Sequence, residues 1–229
     1  QMSALEKKTS DMILKLDRWL AWDFDLPPLP EQKRISDVLS TWDSAIEKTE
    51  SLIVSARNQK QALIQQLLAG KARLPGFSEV WKRVPFGDLA SLVKDKVDAQ
   101  TLPDDARGIE LEHIEAESGA LLGTCQANAQ VSLKTSFSSK HVLYGKLRPY
   151  LRKFLKPGFD GVCSTEIWAL ASNPKICLDD YLLLIVQTST FASAVEVSSG
   201  SKMPLADWGI VRDTPFMMPP IDEQSAIVD

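Results

Sequence analysis

The sequence predicts an α+β fold, in which a globular mixed domain is attached to a long coiled-coil helix. Two observations predict this class: a stretch of 39 residues without Gly or Pro between Pro30 and Gly70, and a region of short β-like segments after Pro75. A third observation, a segment repeated near both ends of the chain, divides the sequence into the same parts. With 229 residues, 44% hydrophobic and 24% charged, the chain has the size and composition of one soluble domain plus an additional element.

The stretch between Pro30 and Gly70 carries an apolar heptad pattern. One series of positions seven residues apart begins at Ile35 and a second begins at Leu39, as in the a and d sites of a coiled coil. The pattern predicts an interface made of Ile35, Leu39, Trp42, Ile46, Ile53, Leu63 and Leu67. A single helix cannot bury so narrow a seam by itself, so we expect it to pair with another helix. An ordinary core helix is the alternative.

Segments of β-like sequence, separated by turn residues, follow the helix. Strands are predicted at 81–86, 108–114, 142–147 and 166–171, because each segment is rich in apolar and β-branched residues and is bounded by Pro, Gly, Asn or Asp. Acidic residues followed by apolar residues at helical spacing predict one helix over 179–197. Together these elements predict a compact α+β domain after the long helix.

A repeated segment marks two junctions in the chain. Residues 24–37 read FDLPPLPEQKRISD and residues 216–229 read FMMPPIDEQSAIVD, with identity at seven of 14 positions. The double proline favours an extended entry, and the following Glu lies in the first turn of a helix, where a carboxylate favours the positive end of the helix dipole. Each copy is therefore predicted as a strand-to-helix junction, and the first copy opens the long helix.

Charge is distributed unevenly along the chain. The net charge is −4, yet residues 134–159 carry seven Lys or Arg and no Asp or Glu. The remaining residues hold 19 of the 26 basic side chains and all 30 acidic ones. One positive surface on a negative body suits a polyanion such as nucleic acid. A solvated basic face with no ligand is the alternative.

The cysteines and the apolar runs indicate where the protein is located and which kinds of site it lacks. Cys125, Cys163 and Cys177 are odd in number and form no CxxC pair, so neither a disulfide framework nor a zinc site is predicted. No apolar run is long enough to span a membrane, and the first residues do not resemble a signal peptide. We therefore expect a cytoplasmic protein with no membrane partner and no cofactor.

Several segments, taken in order along the chain, resemble one family. They are LPGFSEVWKRVPFGDL at 74–89, GIELEHIEAESGALLG at 108–123, LYGKLRPYLRK at 143–153, GVCSTEIWAL at 161–170, SSGSKMPL at 198–205 and the PPLPEQ and PPIDEQ repeats. In these segments the chain resembles the DNA-specificity (S) subunit of type I restriction–modification enzymes. The resemblance implies target recognition domains that each read one half of a split DNA site. It also implies two conserved helices that form an antiparallel coiled coil and hold methyltransferase subunits, which restriction subunits join.

The resemblance divides the chain into four parts. Residues 1–26 correspond to the tail of a preceding target recognition domain and 27–73 to the conserved spacer helix. Residues 74–215 correspond to a target recognition domain and 216–229 to the start of the second conserved helix. The full pattern has two recognition domains, so we expect either a fragment of a longer subunit or a natural half-subunit that forms a homodimer through its coiled-coil helix.

The predicted DNA-binding residues belong mainly to the basic segment, residues 134–156, which holds all seven Lys and Arg side chains of the acid-free stretch. Lys and Arg neutralise phosphates, while side chains that reach a groove read base edges. The predicted set is Lys140, Lys146, Arg148, Tyr150, Arg152, Lys153, Lys202 and Arg107. In an extended strand, alternate residues of KLRPYLRK would share one face, which places Lys146, Arg148, Tyr150 and Arg152 together. Pro149 interrupts strand pairing, so we expect either an edge strand or a bend here. Base readers are not singled out, although Arg107, Gln126, Asn128 and Gln130 have suitable chemistry.

Two groups of polar residues suggest catalysis at first sight. One is a set of glutamates around His113, and the other is the Cys-Ser-Thr-Glu run at 163–166. On a strand, Glu110 and Glu112 would share a face while His113 points away, so convergent metal ligation is not predicted. The run at 163–166 has no histidine nearby in sequence. Phosphate-binding and methyltransferase motifs are absent from the sequence.

These observations predict a non-catalytic subunit that recognises a DNA sequence and serves as a scaffold. The expected partners are double-stranded DNA, DNA methyltransferase subunits and restriction subunits, with homodimerisation through the coiled-coil helix as a further possibility. Two other hypotheses remain open. The chain could be the DNA-recognition part of a fused restriction–methylation enzyme, or a coiled-coil adaptor without DNA binding.

Overall fold

The computed structural model describes residues 25–129, 132–197 and 204–229. The chain divides into two compact units, residues up to 56 and residues 57–229. The described residues combine helices with three β-sheets, so the predicted α+β class with a long helix is confirmed.

The long helix α1 spans Leu29–Leu68 and has 40 residues. At 1.5 Å per residue it is about 60 Å long. Its first turn accommodates Pro30, because the N–H that proline lacks would have no helical partner at that position. The helix ends before Gly70, whose left-handed conformation (φ 66°) lets its N–H donate to the Leu67 carbonyl at 3.0 Å.

The predicted coiled-coil seam is exposed on α1. Side chains with 47–64% exposure are Ile35, Leu39, Trp42, Ile46 and Ile53. Nearer the end of the helix, Leu63 is exposed and Leu67 is half-buried, whereas Ile64, outside the heptad pattern, is only 6% exposed. Within residues 57–229 the last turns of α1 therefore pack with a face other than the heptad seam.

Short elements make up the rest of the described chain. The strands are β1 (Lys82–Pro85), β2 (Ala90–Leu92), β3 (Lys96–Asp98), β4 (Arg107–Ile109), β5 (Cys125–Gln126), β6 (Leu133–Phe137), β7 (Val142–Gly145), β8 (Phe154–Leu155), β9 (Gly161–Cys163), β10 (Ile167–Ser172) and β11 (Pro215–Met218). The further helices are α2 (Phe86–Leu89), α3 (Asp179–Ile185), α4 (Ser189–Glu196), α5 (Trp208–Asp213) and α6 (Ile221–Val228). Short 3₁₀ turns occupy Ala99–Thr101, Leu111–His113, Ala127–Ala129 and Pro149–Leu151.

The strands form three sheets. β1 pairs with β11, the second sheet has the order β2-β10-β7-β8, and the third has the order β3-β6-β9-β4-β5. Neighbouring strands in the described residues are antiparallel except β4 and β9, which run parallel.

The four-stranded sheet separates two hydrophobic cores. Along β10, Trp168 and Leu170 belong to one core, while Ile167 and Ala169 belong to the other, as the alternation of side chains along a strand requires. All four residues of β7 are buried for the same reason. A strand covered on both faces reads as a continuous apolar run, which is why this region is recognisable in the sequence.

Most predicted strands are found where the sequence places them, and one is partly wrong. β1, β7 and β10 fall within or beside the predicted segments 81–86, 142–147 and 166–171. The predicted strand at 108–114 is wrong beyond Ile109, because Leu111–His113 forms a 3₁₀ turn.

The predicted single helix over 179–197 is two helices, α3 and α4. The Thr188 hydroxyl accepts a hydrogen bond from the Phe191 N–H at 3.2 Å, and this N-cap starts a new helix where the first has ended. The apolar spacing continues through the break, so it does not reveal the interruption.

The repeated segment forms a strand-to-helix junction in its second copy. There β11 pairs with β1 and α6 follows at once. In the first copy α1 begins at the equivalent position, but residues 25–28 belong to no sheet in the described part of the chain. The predicted strand of the first copy is therefore absent from those four residues, and Phe24 lies outside the described residues.

Candidate nucleic-acid interface

The basic segment, residues 134–156, contains two lysines that form ion pairs with carboxylates of the same domain. Lys134 is 4% exposed and pairs with the Glu110 carboxylate. Lys156 pairs with the Asp180 carboxylate in α3. Because these two charges are matched by carboxylates, they contribute little to a positive surface.

Two of the predicted DNA-binding residues also point their donors towards the protein backbone. Lys153 Nζ donates to the Leu111 carbonyl at 2.8 Å, and Arg152 Nη2 donates to the Gln187 carbonyl at 2.7 Å. Both residues are half-buried. These hydrogen bonds hold both side chains within the fold, so each has fewer free donors than the sequence suggests.

Of the two conformations predicted for KLRPYLRK, an edge strand or a bend at Pro149, the structure has the bend. Arg148 and Arg152 both adopt left-handed conformations, with φ of 53° and 48°, and Pro149–Leu151 between them forms a 3₁₀ turn. We call residues 148–152 the basic turn. Pro149 favours it because its fixed φ suits the first position of a turn and because it donates no ladder hydrogen bond. The expected alternation therefore does not hold beyond Leu147.

Neighbouring backbone groups fix the basic turn. The Arg148 N–H donates to the Pro204 carbonyl at 2.8 Å, and the Arg152 carbonyl accepts from the Glu117 N–H at 3.1 Å. Glu117 is itself left-handed, so the three non-glycine residues with positive φ in the described chain meet at this turn. Such conformations cost about 1–3 kcal/mol each and are concentrated at functional sites.

The basic turn presents charge and an aromatic ring to solvent. Arg148 is exposed and Tyr150 is 54% exposed. Lys140, in the β6–β7 connection, is exposed, and Lys146 is half-buried. A guanidinium binds phosphate oxygens through paired donors, and a tyrosine offers both a stacking face and a hydroxyl. Lys202 lies outside the described residues.

Arg107 lies in a different setting, on β4. Its guanidinium is 4.8 Å from the centroid of the Phe159 ring. Both residues line an open groove of about 780 Å³, whose polar lining also includes Asp105, Asp160 and His141. Carboxylates around an arginine disfavour a phosphate ligand, whereas Arg and Asp side chains are both suited to base edges.

The amides considered as base readers are tied to a loop. Asn128 Nδ2 donates to Asp104 Oδ1 at 2.6 Å, and Gln126 Nε2 approaches the Asp104 carbonyl at 3.5 Å. Gln130 lies outside the described residues. The structure therefore does not bring Gln126 and Asn128 into the groove beside Arg107.

Glu110 and His113 lie across a 3₁₀ turn, not along a strand as predicted. His113 Nδ1 accepts from the Glu110 N–H at 3.0 Å across the 3₁₀ turn, so these residues do not alternate along a strand. Among the described residues, no group of three His, Cys, Asp or Glu side chains could hold a metal ion.

The Cys-Ser-Thr-Glu run at 163–166 is shielded from solvent at its first two positions. Cys163 and Ser164 are buried, and burial raises the pKa of the Cys163 thiol to about 12. A thiol with this pKa is a poor nucleophile near neutral pH.

Sequence reasoning missed the groups that orient the basic turn. These are the backbone carbonyls of Pro204 and Gln187, which accept hydrogen bonds from Arg148 and Arg152. A carbonyl is present at every residue, so no sequence signal could have singled them out.

None of the helices in the described residues combines the length and apolar character that crossing a membrane requires.

The fold places the chain in a class of known structures. It is similar to the HsdS subunit from Thermoanaerobacter tengcongensis, with a TM-score of 0.56 and 21% identity over 71% of this chain and 43% of that chain. It is also similar to a chain from a structural study of complex assembly and conformational transition of the type I R-M system, with a TM-score of 0.57 and 21% identity over 69% of this chain and 42% of that chain. At this level of identity the similarity concerns the fold.

Sequence similarity identifies the relation more closely. The specificity subunit of the type I restriction enzyme EcoDI from Escherichia coli is 30% identical over 161 residues, which are 68% of this chain and 35% of that protein. No protein-family model matches the chain. The chain is a relative of type I restriction-enzyme specificity subunits, and the recognition made from the sequence is confirmed. It spans about a third of the length of the EcoDI subunit.

Proposed function

We propose that this chain is the DNA-recognition and scaffolding part of a type I restriction–modification specificity subunit, and that its domain at 74–215 reads one half of a split site on double-stranded DNA. The relation to the EcoDI specificity subunit is the observation that carries this proposal. The exposed basic turn supports it, because the turn places the positive charge of Arg148 at the surface of a chain whose net charge is −4.

Binding proceeds in two parts under this proposal. Arg148, Lys146 and Lys140 neutralise phosphates and set the register of the domain on the duplex, and Tyr150 packs against the sugar–phosphate backbone beside them. Arg107 reads a base edge from its groove, where guanine is the base that an arginine recognises through paired donors. Lys202 adds a phosphate contact. The chain itself catalyses no bond-making step.

The scaffolding part of the proposal concerns α1. Its exposed seam, from Ile35 to Ile53, fits a second helix of the same heptad type, either in the same subunit or in a second copy of this chain. Methyltransferase subunits bind the paired helices and the adjoining surfaces, and restriction subunits join that core. The assembly acts in the cytoplasm, where its DNA substrate lies.

Duplex binding by the full chain tests the proposal. We expect Lys146→Ala with Arg148→Ala to weaken binding to target and random-sequence duplexes by a similar factor, because phosphate contacts carry no sequence information. The slope of log K against log salt should become shallower by about 0.9 for each phosphate contact that is lost. Fluorescence anisotropy at several salt concentrations measures both quantities.

Lys156→Ala is the matched control, because Lys156 belongs to the same basic segment but pairs with Asp180. This variant should retain the wild-type salt slope and affinity within about twofold, as expected for a surface ion pair. Unchanged affinity of the Lys146 and Arg148 double variant at low salt would overturn the role of the basic turn. Absence of duplex binding by the wild-type chain would favour a coiled-coil adaptor.

A further inference from the structure

One backbone carbonyl receives side chains from two distant parts of the domain. The Gln187 carbonyl accepts hydrogen bonds from Gln61 Nε2 at 2.9 Å, from Gln65 Nε2 at 3.2 Å and from Arg152 Nη2 at 2.7 Å. Gln61 and Gln65 lie one turn apart on α1, while Arg152 ends the basic turn. The last turns of α1 and the basic turn are therefore joined through a single oxygen atom.

Burial and further hydrogen bonds hold the Gln187 carbonyl in place between α1 and the basic turn. Gln187 is 7% exposed, and its side-chain Nε2 donates to the Leu183 carbonyl at 2.8 Å. On the other side, Gln65 Oε1 accepts from both the N–H and the hydroxyl of Ser189, at 3.2 and 3.1 Å. The link between α3 and α4 is therefore held at the carbonyl and at the residue that starts the next helix.

Arg152 connects this site to the basic turn. Its guanidinium contributes a charge-assisted hydrogen bond, the strongest kind of donor in the cluster. Its carbonyl accepts from the Glu117 N–H, and its N–H donates to the Pro149 carbonyl at 2.9 Å. Displacing the Arg152 side chain would therefore disturb the turn that presents Arg148.

We propose that Arg152, Gln61 and Gln65 are positioning residues, which couple the last turns of α1 to the basic turn through the Gln187 carbonyl. Arg152 does not bind a phosphate but fixes the turn from which Arg148 does, and this assignment replaces its predicted role as a DNA contact. The proposal rests on the proposed DNA-binding function. It adds that two uncharged glutamines, with no contact to DNA, contribute to duplex affinity.

Duplex binding separates a positioning residue from a phosphate contact. The Gln61→Leu, Gln65→Leu double variant of the full chain loses the four hydrogen bonds that these side chains make to Gln187 and Ser189. It should bind about tenfold more weakly with the wild-type salt slope. Arg152→Ala should weaken binding similarly without flattening the slope, whereas Arg148→Ala should flatten it by about 0.9. Gln66→Leu, an exposed neighbour on α1, is the matched control and should bind as wild type.

Amide hydrogen exchange without DNA tests the coupling independently of the proposed function. The Gln61 and Gln65 double variant should accelerate exchange at the Leu151, Arg152 and Glu117 amides, which donate hydrogen bonds within the turn or to it. Unchanged exchange there would overturn the coupling. Wild-type binding by the glutamine variant, together with a flattened slope for Arg152→Ala, would restore Arg152 as a phosphate contact. Failure of the wild-type chain to bind duplex would count against DNA recognition and leave the exchange result to decide the coupling.

Discussion

The two copies of the repeated segment, at 24–37 and 216–229, share the structure of their helix start but not the strand before it, since residues 25–28 belong to no sheet whereas β11 pairs with β1. In each copy the helix begins at the sixth position of the segment. The glutamine side chain also bonds back to the first proline: Gln32 Nε2 donates to the Pro27 carbonyl at 2.7 Å, and Gln224 Nε2 donates to the Pro219 carbonyl at 2.9 Å. These bonds join groups five residues apart, so the repeated sequence is sufficient to explain them.

The surroundings of the two copies differ. Glu223 is fully buried, and its carboxylate accepts from Arg73 Nε at 2.9 Å, from Arg73 Nη2 at 2.6 Å and from Trp81 Nε1 at 3.0 Å. Glu31, at the equivalent position of the first copy, is exposed. The same carboxylate at the start of a helix is thus a surface group in one copy and a buried ionic partner in the other.

The neighbouring glutamine extends the contrast. Gln224 is fully buried, its Oε1 accepts from the Leu178 N–H at 3.0 Å, and its Nε2 also donates to the Ile176 carbonyl at 2.7 Å. Gln32 is only half-buried. The second copy therefore ties α6 to the segment after α1 and to the segment before α3. The motif therefore sets the local turn, whereas its tertiary partners set its contribution to stability.

The largest expected difference between the copies is at the glutamate. Glu223→Ala leaves the Arg73 guanidinium and the Trp81 indole without their acceptor. It should lower the free energy of unfolding by about 3 kcal/mol, the lower end for breaking a buried pair, since Arg73 is partly exposed. Glu31→Ala, the matched control, should change it by less than about 0.5 kcal/mol. Urea unfolding followed by circular dichroism measures both, and equal losses would show that the buried carboxylate stabilises the fold no more than the exposed one.

A smaller difference is expected at the glutamine. Gln224→Ala leaves the Leu178 N–H and the Ile176 carbonyl unsatisfied at a buried position, at a cost of about 1–3 kcal/mol. Gln32→Ala removes one partly exposed hydrogen bond to its own segment and should cost about 0.5 kcal/mol. The same unfolding experiment measures both losses. A loss for Gln32→Ala as large as that for Gln224→Ala would show that the first copy is also packed against a partner.

Elements with a clear period or a continuous apolar run were predictable from the sequence. The heptad spacing and the absence of Gly and Pro predict α1, and the apolar run of β7 follows from its burial on both faces. The break between α3 and α4 was not predictable, because it depends on the N-cap of Thr188 and leaves the apolar spacing intact.

The candidate site was predictable in composition but not in geometry. The acid-free basic segment identifies the region, yet Lys134 and Lys156 are matched by carboxylates 24 residues away in sequence. The left-handed Arg148 depends on the Pro204 carbonyl, 56 residues downstream. Local pattern carries no information about such partners, so Pro149 indicates a bend but not the conformation of the arginines on either side of it.

The salt dependence of duplex binding by the wild-type chain tests whether Lys140, Lys146 and Arg148 contact DNA phosphates. With Lys140, Lys146 and Arg148 on phosphates, log K should fall against log salt with a slope of about −2.7, and further contacts such as Lys202 would steepen it. Tight binding at low salt with this slope is the predicted result. Failure to bind duplex at low salt, or binding that is insensitive to salt, would contradict the proposed DNA recognition through these phosphate contacts.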